Sequence, residues 1–170
     1  MRIIGIDPGT AITGYSFLDI NNTAYSEDIT LITSGSIRTC KQKSDDQRLL
    51  EIHQDLCVLL EEFQPDIASV EKLFFFKNLK TVMPVAQARG VIIMTLAKYN
   101  VEVYEYTPLV IKQTITGFGR APKEQVREAC GFILASQNMP KLDDAADAIA
   151  IALCHVRQID CQQRIYSANT

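Results

Sequence analysis

Four acidic residues sit where they could do chemistry. Asp7 follows the isoleucine-rich run that begins at Arg2, and Glu71 ends a short apolar run that begins at Asp66. Asp144 and Asp147 are spaced i, i+3 in an alanine-rich segment, which puts both on one face of a helix. The neighbours are apolar or small: Gly5-Ile6, Ser69-Val70, Ala145-Ala146, Ala148-Ile149. An ionised carboxylate is costly in such surroundings, and like charges brought together raise one another's pKa. Cations resolve the conflict, and all-oxygen ligands suit hard ions such as Mg²⁺ or Mn²⁺. Two such ions about 3.5–4 Å apart can activate a water and stabilise the leaving oxygen of a phosphodiester. Each acid also has a plainer use: Asp7 in an Asx-turn before Pro8-Gly9, Glu71 as a partner for a lysine, Asp143 or Asp144 as a helix cap. Only the fold can make the four converge.

The elements that would position them follow from periodicity and punctuation. Residues 2–6 read as a buried strand ended by Asp7-Pro8-Gly9-Thr10, with further strands over 13–20 and 29–38, an antiparallel meander if hairpins join them. A helix capped by Ser44 or Asp45 carries Leu49, Ile52, Leu56, Leu60 and Phe63 at helical spacing and stops at Pro65. A strand over 66–71 follows. A helix over 78–99 has Pro84 near its start or at a kink, and a strand covers 101–106. Short helices over 108–116 and 122–135 follow, Pro122 suiting a first turn. The last helix, 143–156, is apolar on nearly every face and should be buried against the sheet. The order βββαβαβα predicts an α/β or mixed sheet with helices on its faces. The 170 residues, without internal repeat or linker, predict one domain over 1–170.

Composition narrows the function classes. No apolar run reaches the roughly 18 residues of a membrane span, and nothing at the N-terminus resembles a signal peptide. Five cysteines, an odd number without C-x-x-C spacing, argue against a zinc site or a disulfide framework and for a cytoplasmic protein with buried free thiols. The net charge is −3, but it is unevenly spread. From Lys72 to Arg127, nine basic residues face three acids, a net +6, and the remainder carries −9. Such asymmetry permits an anion-binding face on an acidic protein. Phe74-Phe75-Phe76, between a strand-ending carboxylate and Lys77-Asn78, offers a ring that could stack on an unpaired base.

The ordered blocks resemble the RuvC family of Holliday junction resolvases. They are Gly5-Ile6-Asp7-Pro8-Gly9-Thr10 with Thr13-Gly14-Tyr15, Gly35-Ser36-Ile37-Arg38-Thr39, Gln64-Pro65-Asp66, Glu71 with Phe74, Lys77-Asn78 and Gln87-Ala88-Arg89-Gly90. Tyr104-Glu105-Tyr106, Lys112-Gln113, Gly117, Lys123 with Gln125-Val126, and Asp144-Ala145-Ala146-Asp147-Ala148 through His155 complete the set. The resemblance implies an RNase H-like nuclease domain: a five-stranded mixed sheet, three antiparallel strands then parallel ones, flanked by helices on both faces. It implies a homodimer that cuts four-way DNA junctions in recombination and repair by paired symmetric nicks, accompanied by a branch-migration helicase of the RuvA and RuvB type. By the family's motifs Asp7, Glu71, Asp144 and Asp147 hold Mg²⁺ (Mn²⁺ as substitute), two ions per site. Phe74 matches an aromatic acting on bases near the junction centre. Lys112 and Lys123 match basic residues near the active site that contact DNA, Lys123 also assisting catalysis. Lys77 and Arg89 lie in matching DNA-binding segments. No membrane and no nucleotide cofactor is implied.

Three other readings compete. An actin-like kinase or ATPase shares a strand followed by an Asp-x-Gly-Thr turn but needs two large lobes, and 170 residues are too few. An RNase H-like nuclease with another RNA or branched-DNA substrate would use the same acids. A non-catalytic DNA-binding module would have no need of four carboxylates.

Overall fold

The alternation of apolar residues in the strands creates two buried surfaces, and helices cover both. The computed structural model describes residues 1–23, 26–73, 79–135, 139–140 and 143–168. Strands β1 (Arg2–Asp7), β2 (Ile12–Thr23) and β3 (Ser26–Arg38) form the expected antiparallel meander. Strands β4 (Ile67–Glu71) and β5 (Glu102–Tyr106) add to β1 in parallel, so the sheet runs β3-β2-β1-β4-β5. The other elements are α1 (Asp45–Phe63), α2 (Leu79–Lys98), α3 (Pro108–Thr116), α4 (Lys123–Ile133) and α5 (Asp143–Ala168).

Helix boundaries follow local chemistry. Ser44 is the N-cap of α1, and its N–H donates to Gln47 Oε1. The helix stops at Gln64 in a left-handed conformation, just before Pro65. Thr107 caps α3 by accepting from the Val110 N–H, with Pro108 in its first turn, and Gly117 closes it at φ 76°. Pro84 lies inside α2, in its second turn. Pro122 is the N-cap of α4 rather than a residue of its first turn. The last helix continues to Ala168, beyond the expected Val156, because the polar segment after Val156 remains helical without an apolar stripe to signal it.

One face of the sheet packs Ile4, Ile6, Phe17, Ala68 and Val70 against α1 and α2. The opposite face packs Ile3, Leu18 and Ile20 against α3, α4 and α5. Residues 145–156 of α5 are buried at every position but Asp147, as their composition predicts. Cys130 and Cys154 are buried free thiols as expected, whereas Cys57 is half-buried and Cys40 is exposed in the polar segment before α1, which corrects the expectation for those two. No helix is long and apolar enough to cross a membrane among the described residues.

Candidate active site

Asp7 and Glu71 meet because β1 and β4 are parallel neighbours in near-perfect step. Ile6 pairs with Val70, so the residues that follow end adjacent strands side by side. Both point to the α5 face, since Ile6 and Val70 point the other way. The place is the crevice beyond the carboxyl ends of parallel strands, where open α/β sheets hold their ligands.

Helix α5 brings the other acids by an unusually close approach. A Cβ on Gly5 would lie 2.1 Å from the Ala148 carbonyl oxygen, and one on Gly14 would lie 2.1 Å from that of Asp144. Ser16 Oγ donates to the Ala148 carbonyl at 2.9 Å, and Ser69 Oγ donates to that of Ile151 at 2.7 Å. Glycines that admit the helix backbone and serines that hold it fix the start of α5 on the sheet.

The i, i+3 pair does not arrive as one unit. Asp147 lines a cavity of about 320 Å³ together with Asp7, Glu71, Lys112, Lys123 and Pro108. Asp144 stands beside it, with its backbone over Gly14, and acts on Asp7 more weakly than Glu71 and Asp147 do. Asp143 faces a neighbouring cavity. The structure therefore joins Asp7, Glu71, Asp147, Lys112 and Lys123 directly and sets Asp144 at their edge.

The electrostatics record the crowding. Burial pushes the Asp7 carboxyl up to about 7, helped by the charges of Glu71, Asp147 and Asp144 and opposed by Lys123. Burial and Asp147 raise Glu71, while Lys123, Lys112 and a hydrogen bond with Asp7 pull it the other way. Glu71 thus shares one cavity with Asp7 and with two lysines, Lys112 and Lys123. Lys123 Nζ donates to Asp147 Oδ2 at 2.7 Å, and that bond raises the lysine's own pKa. The donors are all oxygens, and the buried acids lack enough positive charge, so the chemistry fits a hard divalent cation. As placed, no three of the described acids close around one point. Among the described residues, the Lys123 ammonium on Asp147 is the neutralising charge in direct contact with these acids.

Other expected residues fall elsewhere. Arg89 lies on α2, across the sheet from the acids, where it forms an ion pair with Glu105. Phe74 and Lys77 lie outside the described residues, as do Phe75 and Phe76. His155, given no role from sequence, is buried, accepts or donates at Tyr106 OH at 2.7 Å, and packs on the Tyr104 ring. Sequence reasoning missed Gly14, Ser16 and Ser69 as docking residues. Their signal was small side chains on alternate positions of strands that otherwise carry large ones.

Comparison with known proteins agrees with this geometry. The family model for crossover junction endodeoxyribonuclease RuvC matches residues 3–155. The RuvC protein of Finegoldia magna is 48% identical over 156 residues, covering 92% of this chain and 93% of that one. That of Caldicellulosiruptor saccharolyticus is 44% identical, covering 92% of each. Thermus thermophilus RuvC superimposes with a TM-score of 0.85 at 29% identity, covering 95% of this chain and 97% of that one. Its complex with a Holliday junction substrate gives 0.83 at 27%, covering 95% and 96%. Neither the actin-like reading nor a nuclease of another substrate class is favoured by these matches. The sheet and its helices are the RNase H-like fold, and the chain belongs to the RuvC family of crossover junction endodeoxyribonucleases.

Proposed function

We propose that this chain cuts four-way DNA junctions by metal-dependent hydrolysis of phosphodiester bonds. The observation that carries the reading is the convergence of Asp7, Glu71 and Asp147 with Lys112 and Lys123 on one cavity, in a chain with this family membership. The relative from Thermus thermophilus has been solved with a Holliday junction substrate.

Asp7, Glu71 and Asp147 would hold Mg²⁺, with Asp144 completing the set from the edge; Mn²⁺ suits the same donors, and two ions suit four acids. Bound there, divalent ions supply positive charge to the scissile phosphate and lower the pKa of an attacking water. The chain's own residues do the rest. Gly5, Gly14, Ser16 and Ser69 hold the acids of α5 against those of the strands. Lys123 orients Asp147 and sets a mobile point charge at the cavity mouth, where it assists catalysis and meets a phosphate oxygen. Lys112 brings a second positive charge to the same wall. Phe74 and Lys77 complete the DNA contacts in this reading. Arg89, tied to Glu105 across the sheet, has no part at the reacting phosphate.

A homodimer would supply two such sites for paired, symmetric nicks in a two-fold substrate. A branch-migration helicase of the RuvA and RuvB type fits as its partner, in a cytoplasmic setting. The chain would work as one nuclease domain over 1–170. A cleavage assay tests the reading with a mobile four-way junction, a linear duplex and a forked duplex, each with Mg²⁺ and with EDTA. Paired symmetric nicks in the junction alone, lost in EDTA, are expected. Binding without cutting overturns catalysis, and equal cutting of all three overturns junction selectivity.

A further inference from the structure

The cavity holding the acids continues past Lys123. A second cavity, of about 150 Å³, lies beyond the Lys123–Asp147 ion pair and shares Lys123, Val126 and Asp147 with the first. A third, of about 300 Å³, shares Glu124 and Arg127 with the second and ends at Gly131 and Met139. Sharing lining residues in turn, the three cavities line up from Asp7 and Glu71 along α4. Arg127 lines the second and third of them.

Arg127 is half-buried and has no ion-pair or hydrogen-bond partner among the described residues. Elsewhere the described lining of the second and third cavities offers one further cation, Lys123, whose ammonium is engaged by Asp147. The other charged groups there are acids: Glu124, Glu128, Asp143 and Asp147. They repel a polyanion unless a cation meets it, and the unpaired guanidinium is positioned to do so. Lys123 and Arg127 are spaced i, i+4, so they project from one face of α4 about 6 Å apart along its axis. That rise is close to the spacing of neighbouring phosphates in a nucleic-acid strand. A guanidinium also offers a planar fork suited to phosphate oxygens.

We infer that Arg127 binds the phosphate next to the scissile one and leads the cut strand along α4. The inference rests on the reading of the cavity as a DNA-cutting site. The test compares the full-length wild type with Arg127→Ala, Arg127→Lys and, as control, Lys98→Ala at the far end of α2. Junction affinity is measured in EDTA across a salt series. Arg127→Ala should bind about tenfold more weakly at moderate salt. Its slope of log affinity against log salt should fall by about one per engaged site. Arg127→Lys should keep the slope, because the charge persists, and Lys98→Ala should match the wild type. Ethylating the phosphate next to the scissile one should weaken binding by the wild type and leave Arg127→Ala little changed. Wild-type affinity and slope in Arg127→Ala overturn the inference. A wild type that fails to cut the junction in Mg²⁺ overturns the reading beneath it, a separate result from the same samples.

Discussion

The two faces of the sheet are built by different rules. Toward α1 and α2 the strands present Ile4, Ile6, Phe17, Ile37 and Val70, which meet Ile52, Leu56, Leu60, Ile92 and Leu96. Large side chains on both sides keep the layers apart and remove much apolar area from water. Toward α5 the same strands present Gly5, Gly14, Ser16 and Ser69, then Asp7 and Glu71 at their ends. The helix there comes close enough for side chains to bond its backbone carbonyls. The first face stabilises the fold by bulk. The second gives up bulk for the fixed approach of α5, and it tolerates buried like charges that oppose folding. Function is concentrated on the face that carries the crowded acids.

Removing one of those charges breaks the contrast most directly. Asp7→Asn should reduce junction cutting in Mg²⁺ by well over the roughly 10–100-fold that losing a partner of a metal ligand costs. The same variant should be the more stable protein in EDTA. Asp7 holds its proton more tightly in the fold, at about 7, than at its ordinary 3.8. Below about pH 4 both states are protonated and the group costs nothing. As pH rises from there to about 7, the unfolded chain releases a proton that the fold retains, so the wild type loses stability. The loss, on the order of a few kcal/mol, is complete above about 7. Melting curves in EDTA should therefore show the two proteins alike at pH 4 and Asp7→Asn ahead at pH 8. Mg²⁺ should raise the wild-type midpoint and narrow the gap. A variant no more stable at pH 8 would show that the acid cluster is not strained in the metal-free fold.

The close approach of α5 is tested by a single methyl group. Gly5→Ala places a Cβ against the Ala148 carbonyl and 2.8 Å from Ala152 Cβ, and neither backbone nor core helix can yield cheaply. We expect a loss of about 3 kcal/mol, with a steep fall in cutting because α5 carries Asp147. Ile4→Val, one residue away on the other face, should cost only about 0.5–1.5 kcal/mol and spare the activity. Chemical denaturation of both variants checks this. Equal costs would mean that the α5 face is as accommodating as its opposite.

Much of this was legible in the chain. Isoleucine-rich runs marked β1 and β4, and the acids that end them were visible as such. The stretch 145–156, apolar on nearly every face, announced a buried helix, and the i, i+3 spacing put Asp144 and Asp147 on one side of it. The spacing could not separate the two, because a single turn leaves them only a fraction of a rotation apart. The packing of Gly14 against the Asp144 backbone decides it, through a contact between residues 130 positions apart in sequence. Arg89 was legible as a cation but not as one neutralised by Glu105, since sheet alternation and helix rotation must both be known to pair them. Arg127 carried only its i, i+4 relation to Lys123, common on any helix surface, until the cavities connected them.

The smallest effect is the sharpest probe of how the site is held. Ser69 and Ala68 are adjacent on β4 and face opposite ways, both fully buried. Ser69 Oγ bonds the Ile151 carbonyl, one turn beyond Asp147 on a helix whose own ladder also uses that oxygen. Ser69→Ala therefore leaves no orphaned acceptor, and the expected cost is about 1 kcal/mol, or roughly 2–4 °C in the melting midpoint. If the serine merely fills space, cutting should be unchanged. If it fixes the seat of α5, the loss should fall on kcat, with junction affinity in EDTA retained, because the reacting geometry loosens while the basic contacts stay. Ser69→Thr, which keeps the hydroxyl but adds a methyl group between sheet and helix, should be worse than alanine on both counts. Alanine and threonine ranked the other way would mean that the hydrogen bond, rather than the closeness it accompanies, is what places Asp147.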